Sequence, residues 1–104
     1  MKKQIKDLEL WELDYLVANA EGLDAFIKDN KCFIKYICPQ TIDIYSPTTN
    51  PAQAWPIIDR EKISTRFLDV VEKWAARIEG EEAYGNTSLE AAMRCYCEYK
   101  DKTI

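Results

Sequence analysis

A chain of 104 residues with 47% hydrophobic and 12% aromatic residues has the length of one domain, 1–104, and enough apolar material for a packed core. Fourteen basic against 18 acidic residues leave a net charge of -4, with the lysines scattered along the chain, which argues against binding of a nucleic-acid polymer. No apolar run reaches the roughly 20 residues that span a bilayer, and none follows the lysines of Met1 to Lys6 as a signal peptide would require, so a cytoplasmic protein with reduced thiols at Cys32, Cys38, Cys95 and Cys97 is expected.

From Asp7, the segment DLELWELDYLVANAEG repeats Leu10, Leu13, Leu16 or Val17 and Ala20 at helical spacing, with Asp7 as N-cap and Gly22 as stop. After Gly22, β-formers at Phe26, Phe33, Ile34, Tyr36 and Ile37 flank a turn at Asp29, Asn30 and Lys31, which predicts a hairpin ended by Pro39. Ile42 to Tyr45 reads as a short extended piece. Asn50 followed by Pro51 opens a helix towards Glu61, and Pro56 predicts a kink in it or two shorter helices.

The stretch Ile63 to Glu79 fits two templates. Phe67, Val70, Val71, Trp74, Ala75 and Ile78 follow a helical period, while ISTRF and KWAARI also suit two strands turning at Glu72 and Lys73; periodicity alone favours the helix. Glu79, Glu81 and Glu82 read as a solvated loop, and Gly80 to Asn86 as loose. A last helix runs from Ser88 to about Lys100, with Thr87 and Glu90 at capping-box spacing and Leu89, Ala92, Met93 and Tyr96 along one face.

The chain contains no histidine, so it lacks the usual proton shuttle at neutral pH, any Ser-His or Cys-His couple, and the imidazole ligands of most catalytic zinc sites. A non-enzyme without cofactor is therefore expected. Cys95 and Cys97 sit about 200° apart around a helix and cannot easily share a metal. Cys32 and Cys38 would fall on one face of a regular strand, but buried cysteine is most often a small apolar core residue, and no metal site is expected.

Chemistry concentrates in YSPTTNPAQAW. A helix N-terminus offers unpaired N–H groups and about half a positive charge, and hydroxyls of Ser46, Thr48 and Thr49 beside Asn50 could complete an anion pocket. Arg60, Arg66 and Arg94 could supply charge, and Tyr45 and Trp55 flat faces for a base. The same residues also make good turns and caps with no ligand, and Arg94 could lie along the surface with its stem over apolar area.

Leu13 to Gly22, Tyr45 to Ser64 and Asn86 to Lys100 together resemble a family of small tailed-phage proteins of unknown function, related to the phage α-β-α sandwich domains. The shared features are the Tyr-Ser-Pro-Thr loop, a helix with a Pro-Ile-Ile step, and a terminal Thr-x-Leu-x-Ala-Ala-Met-Arg-Cys helix. They keep their order and cover less than half the chain. The resemblance implies an α+β fold, an antiparallel sheet with helices packed on it in one small domain, and therefore strands within Ile63 to Ile78. A Glu72-Lys73 pair stands where a turn glycine would be more comfortable. The resemblance assigns no activity, but it matches Tyr45, Ser46, Thr49, Asn50, Gln53, Thr87 and Arg94 to motif positions.

Two functions are carried forward. One is a non-catalytic phage accessory protein that binds a small anionic, nucleotide-like ligand and sequesters a host defence signal. The other is an inhibitor or adaptor that grips a host protein through Trp11, Tyr36, Tyr84, Tyr96 or Tyr99. A homo-oligomer is expected to shield a sheet edge or an apolar helix face.

Overall fold

The computed structural model describes residues 4–37 and 40–103, so the expectations resting on Cys38 and Pro39 lie outside the described residues. A 3-10 turn, Ile5–Asp7, leads into helix α1, Leu10–Ala20. The N-cap is Glu9, not Asp7: the Glu9 amide donates to Glu12 Oε1 at 3.0 Å in a capping box, while Asp7 is drawn into the preceding turn. Gly22 ends α1 as expected. With Gly22 at φ +75°, its amide donates to the Asn19 carbonyl and the Leu23 amide to the Ala18 carbonyl, which closes a Schellman motif.

Strands β1, Ala25–Lys28, β2, Lys31–Tyr36, and β3, Thr41–Ile44, form an antiparallel meander in the order β1-β2-β3. Asp29 and Asn30 both take positive φ, 52° and 59°, and make the two-residue turn that matches the twist of the paired strands. Helix α2, Pro51–Glu61, starts at the Asn50 cap as expected. Pro56 does not split it. Pro56 and Ala52, whose carbonyl the missing N–H would have met, are both exposed, so that carbonyl remains open to water.

Beyond α2, the chain takes the hairpin implied by the family resemblance. Strands β4, Ser64–Leu68, and β5, Lys73–Ile78, pair antiparallel, with Glu72 at φ +52° where a turn glycine would fit more easily. The supposedly loose acidic segment is a strand. β6, Glu81–Gly85, follows a two-residue turn at Glu79 and Gly80 and completes a second sheet in the order β4-β5-β6. Its signal is faint because the inward positions hold only Ala83 and Gly85 between exposed Glu82 and Tyr84. Helix α3, Ser88–Thr103, closes the fold.

The result is the expected α+β class with helices packed on antiparallel strands, although the strands divide into two sheets. α1 lies on β1 and β2, α3 lies on the second sheet, α1 and α3 pack on each other, and α2 touches α3. α3 is buried all round from Ala91 to Cys97, beyond the single apolar face read from its sequence. Small residues bring the sheet close. A Cβ at Gly85 would stand 2.7 Å from the Ala91 amide nitrogen and 2.9 Å from Glu90 Cγ, closer than a real side chain can sit. Gly85→Ala should therefore force β6 away from α3 and cost about 1–3 kcal/mol, read as a lower midpoint in urea unfolding; an unchanged midpoint would contradict this packing.

Candidate functional site

The YSPTTNPAQAW segment folds as a closed turn. Gln53 reaches back from α2: its Oε1 accepts from the Ser46 amide at 2.7 Å, and its Nε2 donates to the Ile44 carbonyl at 3.1 Å. The Thr49 and Asn50 amides both donate to the Ser46 carbonyl. Asn50 Oδ1 caps the Ala52 amide at 3.0 Å, Pro51 has no N–H, and the Gln53 and Ala54 amides point at the Asn50 carbonyl. The helix mouth expected to receive an anion is thus closed by its own neighbours.

Tyr45 is buried and extends β3, its amide donating to the Cys32 carbonyl at 2.9 Å. Thr48 is 1% exposed, and its amide donates to Asp14 Oδ1 at 3.0 Å, tying the loop to α1. The Thr48 hydroxyl lies near enough to favour the Asp14 anion but short of hydrogen-bond geometry, and it is the one buried side-chain polar atom without a partner among the described residues. Thr49 is exposed. Trp55 is also exposed and makes no ring contact among the described residues.

Of the three arginines considered, Arg66 lies on β4 beside Arg77 and Glu82, away from the loop, and the other two are engaged elsewhere. Arg60 forms a bidentate pair with Glu21, Nη1 to Oε1 at 2.9 Å and Nη2 to Oε2 at 2.6 Å, and also bonds Glu61 and the Tyr96 hydroxyl. This contact raises the Arg60 pKa and pulls that of Glu21 below the usual carboxylate value. Arg94 is 7% exposed. Its Nη1 donates to the carbonyls of Ile5 at 2.7 Å and Leu8 at 3.2 Å, and its Nη2 pairs with Glu90 at 2.8 Å, so it fastens the N-terminal turn to α3. Thr87 caps α3 through the Glu90 amide at 3.1 Å. Tyr96 is buried and Trp11 and Tyr99 are half-buried, leaving Tyr36 and Tyr84 exposed.

Cys95 donates to the Glu81 carbonyl on the second sheet and Cys97 faces the Leu13 carbonyl of α1, opposite directions as their spacing implies. Burial pushes the thiols of Cys32 and Cys95 up to about 11. No group of residues able to hold a metal occurs among the described residues, and no helix among them is long and apolar enough to cross a membrane.

Two concavities bear on binding. A small one of about 220 Å³ beside Thr48 and Thr49 also contains Asp14, Asn30 and Lys31, with neither Arg60 nor Arg94 in its wall. The larger, about 610 Å³, is a groove that the sequence reading missed. Ile5 and Leu8 of the N-terminal turn, Trp11, Tyr15 and Leu16 of α1, and Ile27 of β1 make its apolar wall. Glu12, Glu98 and Asp101 stand around it, and no lysine or arginine among the described residues lines it. Leu8, Trp11 and Tyr15 already form a second apolar stripe at helical spacing, separate from Leu13 and Val17, and that stripe was the available signal.

Burial holds the Asp14 carboxyl up at about 6 against its ordinary 3.8, partly offset by the Thr48 amide. The folded chain then binds a proton that the unfolded chain has lost, so stability should fall as pH rises from about 4 to about 6, by on the order of 2 kcal/mol. Glu21 acts oppositely, and its contribution is lost only as pH falls below the ordinary carboxylate range. A melting profile against pH should decline between about pH 4 and pH 6, and Asp14→Asn, which can still accept from Thr48, should flatten that decline; a flat wild-type profile would contradict the burial of this charge.

The family model "Bacteriophage P22, NinX" matches residues 4–100. No curated protein matches the chain. Among solved structures, a phage protein from Bacillus cereus ATCC 14579 shares the fold with a TM-score of 0.60 at 16% identity, over 93% of this chain and 97% of that one. The fold described above is shared with that phage protein, and the chain belongs to the phage P22 NinX family.

Proposed function

We propose that this chain is a non-catalytic phage accessory protein that docks a host protein in the groove walled by Ile5, Leu8, Leu16 and Ile27. The observation that carries this reading is the pairing of an apolar wall with the acidic side chains Glu98 and Asp101, which have no ion pair among the described residues. An apolar concavity with polar groups around it is a form that protein-docking sites take. Sequestration of an anionic, nucleotide-like host signal has weaker support. It needs converging positive charge, whereas the concavity beside Thr48 and Thr49 holds Asp14 and the guanidinium groups of Arg60 and Arg94 face carboxylates and carbonyls.

Capture from host lysate with a tagged chain tests the reading when run on matched variants. A stoichiometric protein should be retained by wild type and by Thr49→Ala, and lost with the Glu98→Lys/Asp101→Lys pair. Equal capture by all three would contradict it. Light scattering of the purified chain reports whether a second copy occupies the groove instead. Nucleotides and cyclic dinucleotides should leave the melting temperature unchanged; a ligand present at 100 times its dissociation constant would add about 2.7 kcal/mol, and such a rise would favour the signal-binding reading.

A further inference from the structure

We propose that the face of the first sheet turned away from α1 docks an amphipathic helix of a partner protein, one whose apolar stripe is bordered by glutamate or aspartate. This surface lies apart from the groove, and its occupancy does not depend on what the groove docks.

Strand alternation divides the side chains of this sheet between two faces. Cys32 and Ile34 are buried towards α1, and their register partners Ala25, Ile27 and Asp43 share that side. The opposite side therefore carries Phe26, Phe33 and Ile44 in register, one apolar row across all three strands. Ile42, opposite Lys35, lies next to that row. The two phenylalanine rings stack with centroids 5.4 Å apart and are half-buried. Ile42 and Ile44 are 57% and 53% exposed, so the β3 end of the face stands open to water. Covering such side chains is favourable in proportion to the apolar area removed from water.

Charge selects the occupant. Lys28 and Lys31 pair with each other on one side of the apolar row, and Lys35 stands on the other. None of these lysines has an ion pair among the described residues, and Lys35 Nζ lies 5.3 Å from the centre of the Phe26 ring. The carboxylates of these segments sit at the margins: Asp29 in the turn, Asp24 opposite Lys35 just before β1, and Asp43 on the α1 side. Lys31 and Lys35 are four residues apart on β2, about 13 Å at the rise of a strand, and a helix with its side chains is about 10 Å across. A helix laid along the apolar row would thus lie between the two sets of ammonium groups, with its flanking carboxylates facing both. A second copy would set lysine against lysine, and the isoleucines give a base nothing to stack on.

The test uses two labelled peptides with one apolar stripe, EELAELLEELAELLEE and KKLAKLLKKLAKLLKK, in fluorescence anisotropy and amide shift mapping with the full chain. The acidic peptide should bind, gain helical circular dichroism, weaken with added salt and shift the amides of Phe26, Phe33, Ile42 and Ile44. The basic peptide should leave those amides in place. Ile44→Asp puts a carboxylate into the apolar row at an exposed position, and Lys28→Glu/Lys31→Glu reverses one lysine border. Each should weaken the acidic peptide by about tenfold while the circular dichroism of the free chain is unchanged. Full affinity in both variants, binding without a gain of helix, or equal shifts at this face with both peptides overturns the proposal. So does tighter engagement of the same amides by phosphatidylserine vesicles or by a thymidine oligonucleotide, which would assign the face to lipid or to single-stranded nucleic acid. A dimer of the purified chain that Ile44→Asp dissolves would assign it to a second copy and overturn the proposal equally.

Discussion

The burial of α3 on every side from Ala91 to Cys97 is the constraint from which the rest of the structure follows. A helix in that position needs a partner in each direction. The second sheet meets it through Ala76, Ala83 and Gly85, small enough for backbone to approach backbone, and α1 meets it through Leu13 and Val17. Burying side chains such as Met93 stabilises by about 1.5–3 kcal/mol each, but Arg94 lies within the same run and must be fully satisfied. The Ile5 and Leu8 carbonyls and Glu90 do this, and in doing so they hold the N-terminal turn that forms one wall of the groove.

The same economy explains the polar motif. Ser46, Asn50 and Gln53 satisfy backbone groups where β3 becomes α2, Asp14 receives the Thr48 amide, and Arg60 joins the ends of α1 and α2 to the Tyr96 hydroxyl of α3. Such residues are retained for closing a turn as readily as for holding a ligand. With those cations engaged internally, the described wall of the groove beside α1 is apolar and acidic.

Much of the fold could be read from the chain because its signals are local. The Gly22 stop, the Asp29-Asn30 turn, the Asn50-Pro51 opening and the Thr87 cap each act within a few residues. The strands of Ile63 to Ile78 imitate a helical period because Ala75 and Ala76 are both buried although they lie on opposite faces, which breaks the strict alternation of a strand. β6 escaped notice because its inward residues are Ala83 and Gly85, which carry little hydrophobic signal. The candidate site was legible only as residue types. Its deciding bonds span 34 residues from Thr48 to Asp14, 39 from Arg60 to Glu21 and 89 from Arg94 to Ile5, separations at which spacing carries no information.

The central claim is that the motif and its arginines serve the fold, while binding belongs to the acidic, apolar groove. Amide chemical-shift mapping on the labelled chain tests it most directly, first with the host protein that the tagged chain captures and then with a cyclic dinucleotide. The account predicts shifts centred on Ile5, Leu16, Ile27 and Glu98 with the protein and none with the nucleotide. Nucleotide-dependent shifts centred on Thr49, Asn50 and Arg60, with a silent groove, would contradict it.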